Sequence, residues 1–243
     1  MKHREFPLTN KGMFRVTGIL YLLVIVLAGF SQGFVRTTVM VPGDAMETSA
    51  RILTHSGLFR WGLVTDLAAF ILYAVVSVLL YQLLKPFGKT LAMISSALRL
   101  LAHPAIGAVN LLNHYLAGYV LSGAPFLSVF EPEQLQSLSL LFMDTHRNGY
   151  LLAGGFFGVH CLLLGILLVQ SRLMPQFFGI AILVAGLAYL LETFGDFLMP
   201  GHEETLAWIV GLSAAIGEVG FTLYLIIRGA RHSFFQPLNN VTG

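Results

Sequence analysis

One apolar run is punctuated by an arginine, two histidines and an asparagine: Arg99, His103, Asn110 and His114. At about 100° per helical residue they stand at roughly 0°, 40°, 20° and 60°, a single polar stripe. Other apolar runs carry Asp66, with Tyr73 and Ser77 on its face, and Glu192 with Asp196, one helical turn apart. Glu218 sits among Gly211, Ala215, Gly217 and Gly220, residues that let helices approach closely. A further run opens with Asp144, His146, Arg147 and Asn148 and holds His160 on the face of His146. Ionisable groups in such surroundings are costly, so they turn to the protein interior or to water.

These residue types allow three kinds of chemistry. His114 and His146 with Glu192, Asp196 or Glu218 would offer nitrogen and oxygen ligands to zinc, and an open coordination position would allow metal-assisted hydrolysis of a lipid-soluble ester or amide. No HExxH is present to strengthen that case. His146 with His160, and His103 with His114, have the spacings to ligate two stacked haems across a bundle; eight histidines produce such spacings by chance as well. Acids and histidines at depth are also what a proton relay or a carrier needs. Against all three stands a structural role, in which each polar group is interhelical glue worth about 0.6 kcal/mol. The P-loop, the GxSxG elbow and the Gly-rich dinucleotide fingerprint are absent.

The elements that must position these groups follow from composition. Of 243 residues, 56% are hydrophobic and 11% charged, and the mean hydropathy is +0.77. Soluble domains carry roughly 25% charge, so lipid must be part of this chain's solvent. A net charge of +2, with no basic patch interleaved with aromatics, argues against nucleic acid. The single cysteine, Cys161, rules out an internal disulfide and a thiolate-only metal site. Six runs are long enough to cross a hydrocarbon core of about 30 Å: 14–36, 58–84, 90–121, 142–170, 176–199 and 205–229. The first is expected to be an uncleaved span, with no small-x-small cleavage site after it. Asp44 and Glu47 start a short interfacial helix over about 44–56, in the manner of a capping box.

Lys2, Arg4, Lys11, Arg15, Lys85, Lys89, Arg172, Arg228 and Arg231 fall on one side of this layout. Arg36, Arg51 and Arg60 fall on the other, while Arg99 and Arg147 lie within spans. The first side is therefore expected to be cytoplasmic, with both chain ends there. Antiparallel spans then put Asp66, His114, His146, Glu192 and Asp196 in the outer half and Arg99, His103 and His160 in the inner half. The expectation is an outer polar cavity of acids and histidines with a basic group beneath it.

The runs "GILYLLVIVLAGF", "VPGDAMETSARILTHSGLFRWGLVTDL", "LRLLAHPAIGAVNLLN" and "EQLQSLSLLFMDTHRNGYLLAGGFFGVHCLLLGILL", in that order, resemble a bacterial membrane family catalogued as domain of unknown function 4386, over about 12 to 230. The resemblance implies a cytoplasmic (inner) membrane protein and implies no activity. It places polar residues at Asp66, Arg99, Asn110, Asp144, His146 and His160. The family favours Gln where this chain has His103 and an apolar residue at His114, which weakens the haem idea.

The expected fold is all-α: a polytopic membrane helix bundle of six transmembrane helices with a short interfacial helix after the first. Residues 1–13 form a cytoplasmic N-terminal segment, 14–229 the membrane domain and 230–243 a cytoplasmic tail. The expected function is binding of a small molecule, ion or lipid in an intramembrane polar cavity, for transport, sensing or an accessory role. Asp66, Arg99, Asn110, Asp144, His146, His160, Glu192, Asp196 and Glu218 would hold the ligand. The alternative is an intramembrane metal-dependent hydrolase with zinc on His114, His146, Glu192 and Asp196. The bilayer is the one partner the sequence requires, and a homo-oligomer stays open.

Overall fold

The structure, a computed structural model, describes residues 11–230. The two terminal segments expected at the cytoplasmic face lie outside the described residues, apart from 11–13 and 230. The fold is all-α. Six helices are long and apolar enough to cross a membrane: α1 (Lys11–Val39), α3 (Ser56–Phe87), α4 (Lys89–Tyr119), α5 (Pro132–Ser171), α6 (Gln176–Leu198) and α7 (Glu203–Ile227). The short α2 (Ala45–Thr54) stands between the first two of them. Large apolar side chains such as Ile71, Val109, Leu112, Ile180, Leu212 and Ile227 are exposed along the spans. In water that surface would be untenable; in lipid it is the expected exterior. The protein is a multi-pass integral membrane protein.

The capping box at α2 forms: the Asp44 carboxylate accepts the Glu47 backbone N–H at 2.9 Å. Glu47 then pairs with Arg51 one turn on, at 2.7 Å. The fourth span begins about ten residues before the expected boundary, at Pro132 rather than 142. Pro132, Glu133 and Gln134 read as a loop by composition, yet they make a good helix start. Proline is tolerated where its missing N–H would go unused, and Glu133 meets the positive end of the helix dipole. The Gln134 side chain reaches back to accept the Glu131 N–H at 2.9 Å.

Three spans widen into π-helical turns: Gly29–Val35 in α1, Leu101–Gly107 in α4 and Ala215–Val219 in α7. Pro104 lies inside the second, where the wider turn absorbs its missing donor. Each of these turns carries a buried polar side chain: Ser31, His103 and Glu218. An extra residue per turn re-aims the side chains that follow it, and such turns gather at functional sites.

The chain divides into two compact units. The first comprises residues up to Leu22, Val75–Arg99 and everything from Gly155 onward; the second comprises Leu23–Ala74 and Leu100–Gly154. Within the first unit, α5 and α6 meet backbone to backbone. A Cβ on Gly165 would lie 2.7 Å from the Gly179 carbonyl, and one on Gly186 2.9 Å from the Gly158 carbonyl. The close-packing glycines on α5 are thus Gly158 and Gly165, two turns apart, facing Gly179 and Gly186. Within the second unit, Val39, Ile52, Phe59, Ala117 and Met143 form a buried apolar cluster that ties α2 to the span ends.

Candidate functional site

In the second unit, Asp66 on α3 is fully buried and collects donors from two other helices. Arg36 Nη2 on α1 lies 2.6 Å from its Oδ2. Gln32 Nε2, one turn earlier on α1, donates to the same oxygen at 3.1 Å. The Tyr150 hydroxyl on α5 donates to Oδ1 at 3.2 Å. Arg36 also donates to Ser31 Oγ and to His146 Nε2. His146 Nδ1 lies 3.0 Å from the Asn110 carbonyl, and Asn110 Nδ2 donates back to the His146 carbonyl at 2.7 Å. A carbonyl only accepts and a guanidinium only donates, so His146 is neutral with its proton on Nδ1. Gly149 makes room for this clasp: any Cβ there would collide with the Asn110 carboxamide.

His114 extends the chain of contacts. Its Nε2 donates to the Phe59 carbonyl at 2.9 Å, its ring stacks on Phe59 with centroids 4.0 Å apart, and it stands edge-on to His146 at 5.7 Å. His103 lies between aromatic rings, stacked on Tyr73 at 4.6 Å. On its far side His114 walls a cavity of about 260 Å³ together with Phe59, Leu63, Gly118 and Leu121, with Arg60, Tyr115 and Tyr119 also in its lining. The cavity is therefore mainly apolar, and the polar groups near it are packed into one another rather than lining open space.

In the first unit, Arg99 on α4 is fully buried. Its Nη1 donates to the Tyr21 hydroxyl at 3.0 Å and to His160 Nε2 at 3.2 Å, and its guanidinium lies 4.2 Å over the Tyr21 ring. The Tyr21 hydroxyl in turn donates to Glu218 Oε2 at 2.7 Å. The Tyr189 hydroxyl donates to Oε1, also at 2.7 Å. His160 Nδ1 lies 2.9 Å from the Ser95 carbonyl, which fixes the same tautomer as in His146.

Of the residues singled out by sequence, Asp66, Asn110 and His146 come together in one network, and Arg99, His160 and Glu218 in the other. Asp144 stays out: it is exposed on α5, within electrostatic reach of Arg147. Glu192 and Asp196 are half-buried on α6 in the first unit. The four expected zinc ligands thus divide between the units, two in each. Among the described residues no group of three or more His, Cys, Asp or Glu side chains is placed to hold a metal ion. In His146 and His160 both ring nitrogens are already hydrogen-bonded, which leaves neither a lone pair for zinc or haem iron in this arrangement.

Arg36, expected at the outer end of the first span and counted there as an outer-side cation, lies within α1 as the counter-charge of Asp66. Tyr21, Gln32, Tyr150 and Tyr189 were not anticipated, nor was Ser95, which braces His160. Spacing carried part of this signal: Gln32 and Arg36 are four residues apart, as are His146 and Tyr150, so each pair shares a helix face.

An uncharacterised protein from the archaeon Archaeoglobus fulgidus is 29% identical over 164 residues, which is 67% of this chain and 80% of that protein. No solved structure matches. The family described as domain of unknown function (DUF4386) matches residues 16–229, and the chain belongs to that family.

Proposed function

We propose that this membrane protein binds a small amphiphilic molecule, one apolar chain with an anionic head, in the cavity beside His114. The observation that carries it is the 260 Å³ cavity itself, since a well-formed, mostly apolar pocket with a few polar groups is the usual shape of a small-molecule site. Ile52, Phe59, Leu63 and Leu121 suit an apolar chain. Arg60, at the end of a span and with no ion pair among the described residues, suits an anionic head. Tyr115 and Tyr119 stack on one another at 5.4 Å, in the manner of aromatic side chains at a membrane–water boundary. His114 Nδ1 is buried without a hydrogen-bond partner among the described residues. His114 also stands edge-on to His146, so occupancy at its wall would be felt by the Asp66 network; a sensing or carrier role follows from that coupling.

The basic residues support a cytoplasmic membrane location with both chain ends in the cytoplasm, which would open the cavity toward the outer face. The reading is tested with a spin-labelled fatty acid and the protein in lipid nanodiscs. Immobilised label should appear at about one per chain, weaken several-fold in Arg60→Ala, and weaken likewise in Leu63→Trp, which narrows the cavity. Equal binding by all three proteins would mean that the label partitions into lipid and that the cavity is not a site.

A further inference from the structure

Glu218 belongs to the first unit and is not among the residues lining that cavity, and its surroundings are unusual for a structural acid. A buried carboxylate with a structural role is ordinarily met by a cation. Here both oxygens are met by phenols. Tyr21 on α1 donates to Oε2 and Tyr189 on α6 donates to Oε1, each at 2.7 Å. Arg99 on α4 reaches the carboxylate through Tyr21, and His160 on α5 is held to Arg99. The Cys161 thiol on α5 is within electrostatic reach of Glu218. These are titratable and charged groups that the described residues bring to it or to its partners. The acid stands in the π-helical turn Ala215–Val219, whose Gly217 packs on the backbone of α6, with a Cβ position 2.9 Å from the Ala181 carbonyl.

We infer that Glu218 is a reversible intramembrane proton-binding site, loaded at Oε1 from the Tyr189 side. The two oxygens are not equivalent. The Tyr21 oxygen already accepts a hydrogen bond from Arg99, so its own hydrogen must point at Oε2. A proton placed on Oε2 would leave Tyr21 with two incoming donors and its own hydrogen without its acceptor. A proton on Oε1 asks only Tyr189 to turn its hydroxyl and leaves the Arg99–Tyr21–Oε2 bonds in place. The Tyr189 hydroxyl turns its hydrogen away and accepts from Oε1–H, while Oε2 goes on accepting from Tyr21. In that step hydronium gives up a proton and is left as water, one O–H bond forms on Glu218, no heavy-atom bond changes, and the Arg99–Glu218 group passes from charge-balanced to singly positive. A phenol is suited to this exchange because it can donate in one state and accept in the other, which a guanidinium cannot do. The net charge so created lies within the membrane, where it responds to the transmembrane potential.

The test is acid-minus-neutral infrared difference spectroscopy of the full-length protein in liposomes. A carboxylic C=O band should grow on acidification and be lost in Glu218→Gln. A phenol C–O band should change with it, be lost in Tyr189→Phe, and persist in Tyr21→Phe, because only Tyr189 switches from donor to acceptor. Should Glu218→Gln fail to fold, carboxyl-13C-labelled glutamate identifies the C=O band as a glutamate's, and the two tyrosine variants still decide the side. Absence of any Glu218-dependent carboxyl band over the pH range in which the protein stays folded would overturn the inference. Loss of the phenol band in Tyr21→Phe rather than Tyr189→Phe would also overturn it.

Discussion

In the second unit Arg36 lies directly against Asp66, at 2.6 Å, while in the first unit the Tyr21 hydroxyl stands between Arg99 and Glu218. Much else is shared. In both, a neutral histidine on α5 donates from Nδ1 to a backbone carbonyl of α4 and accepts an arginine on Nε2: His146 between Asn110 and Arg36, His160 between Ser95 and Arg99. In both, a tyrosine donates to the acid. The difference lies in what meets each acid. A guanidinium sits directly on Asp66, while phenols meet both oxygens of Glu218. The first arrangement ties three helices together around an ion pair; the second is the one on which the inferred proton site rests.

Removing the arginine breaks that comparison hardest. Arg36→Met leaves Asp66 buried without its cation and is expected to destabilise by about 3–5 kcal/mol. Most of this should return in the double variant Arg36→Met with Asp66→Leu, since two apolar groups need no pairing. Arg99→Met should cost less, because Glu218 keeps both phenol donors. Reversible denaturation in mixed micelles measures all three. Equal losses for the two arginines would mean that the Tyr21 bridge transmits charge as well as direct contact does, and the distinction between the units would collapse.

Tyrosine substitutions sharpen the same contrast at smaller scale. Tyr150→Phe removes one of three donors to Asp66 and should cost about 0.5–1.5 kcal/mol. Tyr21→Phe removes the hydroxyl that bridges Arg99 and Glu218 and takes a donor from the acid, so about 1–3 kcal/mol is expected. Denaturation midpoints ranked Tyr21→Phe below Tyr150→Phe below wild type would support the bridge.

The spans, the interfacial helix and the burial of the polar stripe were legible in sequence because they depend on composition and on a fixed angle per residue. Arg99, His103, Asn110 and His114 are all buried, as polar groups in an apolar span must be, although the π-helical turn Leu101–Gly107 interrupts the straight-helix angle between them. Which polar groups meet was not legible, for two physical reasons. A π-helical turn adds a residue to the helical count, so beyond Gly29–Val35 the straight-helix angle no longer says where Arg36 points. Tyrosines pass as apolar in a hydropathy count, yet Tyr21, Tyr150 and Tyr189 supply hydroxyls to the two acids, and Tyr21 also accepts from Arg99. Arg36 itself, at the expected end of the first span, counted as an outer-side cation, and its bonds to Asp66, His146 and Ser31 explain its place inside the helix.

Asp144 gives the smallest expected effect and separates the networks from their surroundings. It shares a helix with His146 and lies only two residues away, so proximity in sequence suggests a common site. Two residues on a helix are about 200° apart, however, and Asp144 is exposed where His146 is fully buried. Its neighbour is Arg147, three residues on, and pairs of this kind on an exposed face contribute little. Asp144→Asn should therefore change stability by less than about 0.5 kcal/mol and leave binding of the spin-labelled fatty acid as in wild type. A loss comparable to that of Tyr150→Phe would place Asp144 in contact with the Asp66 network. The opposed faces of α5 would then have to be redrawn, with the helix rotated so that both residues turn inward.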